Sequence, residues 1–274
     1  MDRIWLTNAL EVTGGFENPG NPWSGVAGDF DGMGLSAGAL QWNIGQGSLQ
    51  PLVRAAGRDA VCAAMPIHGP DFWRACEAPI RNGLGLVRQW QGHTARLPSD
   101  LTSELRAFLV SAPMREQQMR AAERIGRRAQ ILAETWARSL ERRPSLRDFC
   151  WFFDLVTQNG GLKGLSLGDV KAFITRHGDA AKAIAEICDW LAAMPRAYAG
   201  FKDCRHNATL WRDAESGDRY ELLILSYLRA LKSRPEYAGT VMNRKGTIAT
   251  GIGWVNAKMC DLRSRLKDDS MRAA

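Results

Sequence analysis

In QQMRAAERIGRRAQILAETWARSL the apolar positions Met119, Ala122, Ile125, Ala129, Leu132, Trp136 and Leu140 recur every three or four residues. This is the spacing of one apolar face on one long α-helix. The same period predicts helices over 179–194, with Ile184, Ile187, Cys188 and Leu191 inward, and over 218–232, with Leu223, Tyr227 and Leu231 inward. LRDFCWFFDLVTQ is apolar on nearly every side, so it predicts a central helix wrapped by the others. Alternating β-branched runs are absent except around Gly34–Trp42. The expected fold class is therefore mainly α (α+β), with at most a small sheet. No Pro/Ser-rich linker, repeat or low-complexity block divides the chain, so residues 1–274 read as a single domain with two helical lobes.

Between Gly14 and Gly47 the helical period is not evident. GGFENPGNPWSGVAGDFDGMGLSAGALQWNIGQG holds ten glycines but only three acids, Glu17, Asp29 and Asp31. Gly32, Gly34 and Gly38 have the spacing GxGxxxG and follow no apolar strand, which rejects a dinucleotide fingerprint. NGGLKGLSLG lacks the ending of a P-loop, and Cys204 with His206 has no second pair of zinc ligands. No cofactor and no metal are expected.

Paired carboxylates remain. Glycosidic cleavage needs one carboxyl that donates a proton to the leaving oxygen and one ionised carboxylate that activates water or attacks directly. Glu17, beside Phe16 and near Pro19, Pro22 and Trp23, has apolar neighbours that suit the acid through desolvation. Asp31, in FDGMGLS, has flanking glycines that let water and sugar approach and suits the base. Ser36 could hold the attacking water. Asp29 reads as a turn-closing residue and is grouped with the substrate-binding positions.

A chain of 274 residues, 45% hydrophobic and 24% charged, has the composition of a globular protein rather than a disordered one. Its six cysteines are scattered without a CxxC pair and read mostly as buried thiols. The start, MDRIWLTNALEV, lacks the basic region and apolar core of a secretory signal, and no run of about 18 apolar residues occurs. Synthesis in the cytoplasm without a membrane span is expected. Net charge is +7 and the pI is near 9.3, which favours an anionic partner: nucleic acid, a lipid surface or bacterial cell wall.

FEN, followed fourteen residues after Glu17 by DGMGLSAGAL, resembles the active-site segment of the family-46 glycoside hydrolases, chitosanases of lysozyme-like fold. FFDLVTQNGG resembles that family's central helix, and VMNRKGTIA resembles its Arg-containing segment. The likeness covers roughly residues 14–50, 147–165 and 235–255. The opening loop is closer still to lysozyme-like proteins among phage and bacterial wall-degrading or secreted effector enzymes. The resemblance implies two lobes around a cleft, Glu17 as acid, Asp31 as base and Ser36 in the place of the family's water-holding Thr. It also implies inversion across a carboxylate gap of roughly 6.5–9.5 Å. The acid-to-base spacing is shorter than in typical chitosanases, and QWNIGQG replaces the family's small-residue segment.

Chitosan is a polycation and this chain is basic, so peptidoglycan glycan strands are the expected substrate and a chitosanase activity the alternative. Delivery to the periplasm or cell wall by secretion or lysis machinery follows, with an immunity or delivery protein as a further partner. Gln41, Trp42, Asn43 and Gln46 offer amides and an indole for N-acetyl and hydroxyl groups, with core packing of Trp42 the competing reading. Gln158 and Asn159 end the central helix and either face the cleft or cap it. Arg244 and Lys245 are supporting residues, with Arg244 expected to pair with a buried acid, Asp154. Arg120, Arg124, Arg127, Arg128, Arg142 and Arg143 give standing to a third reading, a non-catalytic wall- or nucleic-acid-binding module. No stacking aromatics interleave them, so nucleic acid is not the expected partner.

Overall fold

A computed structural model describes residues 2–18, 20–212 and 220–267. Among these residues the chain is mainly helical, with thirteen α-helices and two small sheets. It divides into two compact units, Met1–Ile125 and Gly126–Ala274. No helix among the described residues is long and apolar enough to cross a membrane.

The first unit opens with α1 (Arg3–Glu17), continues through β1 (Val26–Ala27), β2 (Ser36–Ala37) and β3 (Trp42–Asn43), and then α2 (Gln50–Ala56), α3 (Arg58–Ala64), α4 (Gly69–Glu77), α5 (Ile80–Gln91) and α6 (Ser99–Val110). Asp2 caps α1 by accepting from the Ile4 N–H at 2.7 Å. Leu6, Leu10, Thr13 and Phe16 then turn inward. The glycine-rich segment therefore begins as helix, not loop, because the apolar period runs on through Phe16. A Cβ at Gly14 would lie 3.0 Å from the carbonyl oxygens of both Pro22 and Ala39, so the backbone there is closely approached.

The three strands form an antiparallel sheet in the order β1-β2-β3, with Ser36 opposite both Ala27 and Asn43. Leu35 and Ala37 enter a core with Ile44, Val53, Val61, Val87 and Leu105, and Phe72 meets Phe108 edge-on at 6.1 Å. Successive side chains alternate across a strand. Ser36 thus faces away from that core, as does its cross-strand neighbour Asn43.

The long helix of the periodic pattern is α7 (Ala112–Ser139), which passes from the first unit into the second. Of its expected inward positions Met119, Ala122, Ala129 and Trp136 are buried, Ile125 and Leu132 are half-buried, and the half-buried Leu140 follows the last helical residue. The second unit continues with α8 (Leu146–Asn159), α9 (Leu167–His177), α10 (Ala180–Ala192), α11 (Phe201–Arg212), α12 (Tyr220–Leu231), α13 (Pro235–Thr250), β4 (Ile252–Val255) and β5 (Lys258–Asp261).

The apolar stretch LRDFCWFFDLVTQ is α8, and Asp148 through Leu155 are all buried. Ser145 and Asp148 cap its start reciprocally, and Arg142 forks onto Asp148 at 2.5 and 2.8 Å. At the other end Arg128 donates to the Gly160 carbonyl at 3.0 Å. Two of the arginines proposed as a binding face are thus tied to helix ends.

Ile184, Ile187, Cys188 and Leu191 face inward as the period predicts, and so do Leu223 and Tyr227. Leu231 does not. It is the last residue of α12 and is 50% exposed. The β4–β5 hairpin escapes the strand pattern. Its two-residue turn, Asn256-Ala257, has φ values of 52° and 62°, the positive pair of a type I′ turn, with Ala where Gly is the usual signal. None of the six cysteines forms a disulfide, and four of them are buried.

Candidate active site

Asp29 and Asp31 sit in the loop joining β1 to β2, and that loop is held by α5. Gln91 accepts from the Asp29 N–H at 2.8 Å and donates to the Gly34 carbonyl at 2.7 Å. Arg88 donates through Nε to Asp29 Oδ2 at 2.6 Å and through Nη2 to the Gly32 carbonyl at 3.0 Å. The second carboxylate oxygen of Asp29 accepts from the Gly34 N–H at 2.7 Å. Gly34 has φ +79°, and a Cβ there would come within 2.4 Å of Leu84.

Asp29 is consequently scaffold. Partial burial raises its carboxyl, while Arg88 and the Gly34 amide more than offset this and hold it below the usual carboxylate range. Both of its oxygens are engaged by the protein, which assigns it to turn closure and leaves it poorly placed for substrate.

Asp31 is arranged differently. It is exposed, and Oδ1 accepts a 3.1 Å bond from the Met33 N–H. Beside it Phe30 is 77% exposed, a large apolar ring left in water between two acids. Phe30 carries no periodic signal, and only its place in the DFD triplet could have drawn attention to it.

Glu17 is the last residue of α1 and is exposed. The next residue, Asn18, turns the chain: its N–H donates to the Gly14 carbonyl at 2.8 Å and its amide to the Asn21 carbonyl at 2.6 Å. Phe16 and Trp23 turn into the interior, and the Arg115 guanidinium lies 4.6 Å over the Trp23 ring. Phe16 and Trp23, which flank Glu17 in sequence, are thus buried while Glu17 itself is exposed, and Pro19 lies outside the described residues.

Ser36 is buried in β2 on the sheet face opposite the core. Asn43, across the strand pair, accepts from the Gln46 N–H at 2.8 Å and meets the Gln46 amide at 3.4 Å, closing the turn after β3. Gln41, with φ 54°, donates to the Gly38 carbonyl at 3.0 Å and lies over Gly25. Trp42 packs against the core cluster, as the competing reading of this residue held. Of these four residues Gln46 is exposed; Gln41 and Asn43 shape the loop.

Gln158, Asn159, Arg244 and Lys245 come together in the second unit, around one cavity. Beneath it the buried Asp154 accepts from Arg244 Nη2 and from Lys245 Nζ, each at 2.7 Å. Burial alone would raise the Asp154 carboxyl; Arg244 and Lys245 overcome that and hold it well below the usual carboxylate range. Sequence reasoning missed Arg88 and Gln91, which reach the loop from 59 and 62 positions away, and Arg229 beside the cavity. No local spacing signals such contacts. Among the described residues no three His, Cys, Asp or Glu side chains gather as metal ligands. Comparison of the chain with protein-family models, with curated proteins and with solved structures gives no match.

Proposed function

We propose that the chain is a glycoside hydrolase that cuts the β-1,4-linked backbone of bacterial peptidoglycan by an inverting two-carboxylate mechanism. The observation that carries this reading is the division of labour in the β1–β2 loop. Arg88 and Gln91 fix the backbone through Asp29, so that Asp31 two residues on is presented to solvent on a held loop. A general base needs that combination of exposure and fixed position.

In the proposed reaction Glu17 gives its proton to the glycosidic oxygen as the bond to the anomeric carbon breaks. Asp31 takes a proton from a water attacking the opposite face of the ring, and the Ser36 hydroxyl orients that water. Each turnover leaves Glu17 ionised and Asp31 protonated, and exchange with solvent restores both. The net charge of +7 suits an anionic wall better than a cationic glucosamine polymer.

Incubation with purified peptidoglycan, followed by mass spectrometry of the released fragments, tests the substrate. Fragments ending in a new reducing sugar are expected. Reducing ends released from chitosan but not from peptidoglycan would transfer the activity to the chitosanase alternative.

A further inference from the structure

The cavity beside Asn159 and Arg244 has a volume of about 370 Å³, and its lining includes Lys163, Arg229, Arg234, Arg244 and Lys245 but, among the described residues, no acid. Arg229 is 2% exposed and Lys245 1%. Arg229 donates to the carbonyls of Gly161 and Asn159, each at 2.9 Å, and to the Ser233 hydroxyl at 3.1 Å, all neutral oxygens. A guanidinium has five N–H donors, so two remain. Lys245 shares the Asp154 carboxylate with Arg244, and its ammonium also has N–H groups to spare. Lys163 donates to the Lys232 carbonyl.

A buried cation is costly unless an anion compensates it. Among the described residues Arg229 meets no carboxylate, and Asp154 serves two cations at once. Burial pushes the Lys245 ammonium down to about 8 in spite of Asp154, with the like charges of Arg244 and Arg229 adding to the effect. Asn159 lines the same cavity.

We propose that this cavity binds a doubly charged oxyanion of phosphate or dicarboxylate chemistry, with Arg229 and Lys245 at its floor and Arg234 and Lys163 at its rim. Planar guanidinium donors match the paired oxygens of such groups. The site stands whether or not Glu17 and Asp31 cut a glycan.

The test is thermal unfolding of the full chain titrated with inorganic phosphate or with glutarate, against chloride at equal ionic strength. A saturable rise of about 2–4 °C beyond chloride is expected from at least one of the two. A response to phosphate alone assigns a phosphate-bearing ligand; a response to glutarate assigns a carboxylate-bearing one. Arg234→Ala, at an exposed rim position, should weaken the response about three- to tenfold. Asn159→Asp places a carboxylate in the cavity and should raise the midpoint without added anion while abolishing the response. At a helix C-terminus a new acid ordinarily destabilises, so a rise there reports the cavity's charge. No saturable shift with either anion overturns the proposal, and so does a shift that both variants leave undiminished.

Discussion

Arg88 Nε bonds Asp29 Oδ2 at 2.6 Å, joining α5 to the loop that presents Asp31. Asp29 and Asp31 are two residues apart, yet their oxygens have different tasks. Asp29→Asn should lower stability by about 1–3 kcal/mol, the scale for disturbing a part-buried charged hydrogen-bond pair. Asp31→Asn should leave the unfolding midpoint within about a degree of wild type and reduce turnover at least about a hundredfold. Urea denaturation and turnover measured on both variants check this. Equal losses of stability would remove the distinction between the two acids.

Phe30, exposed beside Asp31, is expected to lie against a sugar ring when substrate binds. Covering part of one aromatic face contributes about 1 kcal/mol, so Phe30→Ala should raise KM about fivefold with little change in kcat. Initial rates over a range of glycan concentrations read this directly. A fall in kcat at unchanged KM would instead mean that Phe30 shapes the loop.

The Asp154 carboxylate holds Arg244 and Lys245 in the interior of the second unit. Its folded-state pKa lies below its ordinary value of 3.8, so the stability it contributes is fully present above about pH 5. That contribution is lost progressively as pH falls below about 4, toward the folded-state value. Urea midpoints should be flat from this group between pH 5 and pH 7 and decline below about pH 4. Asp154→Asn leaves two cations facing a neutral amide and should cost about 3–5 kcal/mol at neutral pH. A variant as stable as wild type would contradict the ion-pair account.

Much of the helical framework is legible where one period persists. Met119 to Trp136 mark α7, and the unbroken apolar run of α8 marks a buried helix. The pairing of Asp154 with Arg244 is reached only through the resemblance of VMNRKGTIA to an Arg-containing family segment, and the structure adds Lys245 to the same carboxylate. The start of the glycine-rich segment misleads because Gly14 and Gly15 look like loop residues. Packing of Phe16 and the close approach of the Pro22 and Ala39 carbonyls decide in favour of helix. Asn256-Ala257 hides a hairpin for want of a glycine. Arg88, Gln91 and Arg229 act through contacts far apart in sequence, which no local pattern records.

The central claim is that Glu17 and Asp31 cleave a peptidoglycan glycan with inversion. NMR of the first product formed from purified, β-linked glycan strands tests it most directly. The α-anomer is expected from wild type, with its formation reduced at least about a hundredfold in Glu17→Gln and the fold intact. A first-formed β-anomer, or a Glu17→Gln variant that releases product at the wild-type rate, would contradict it.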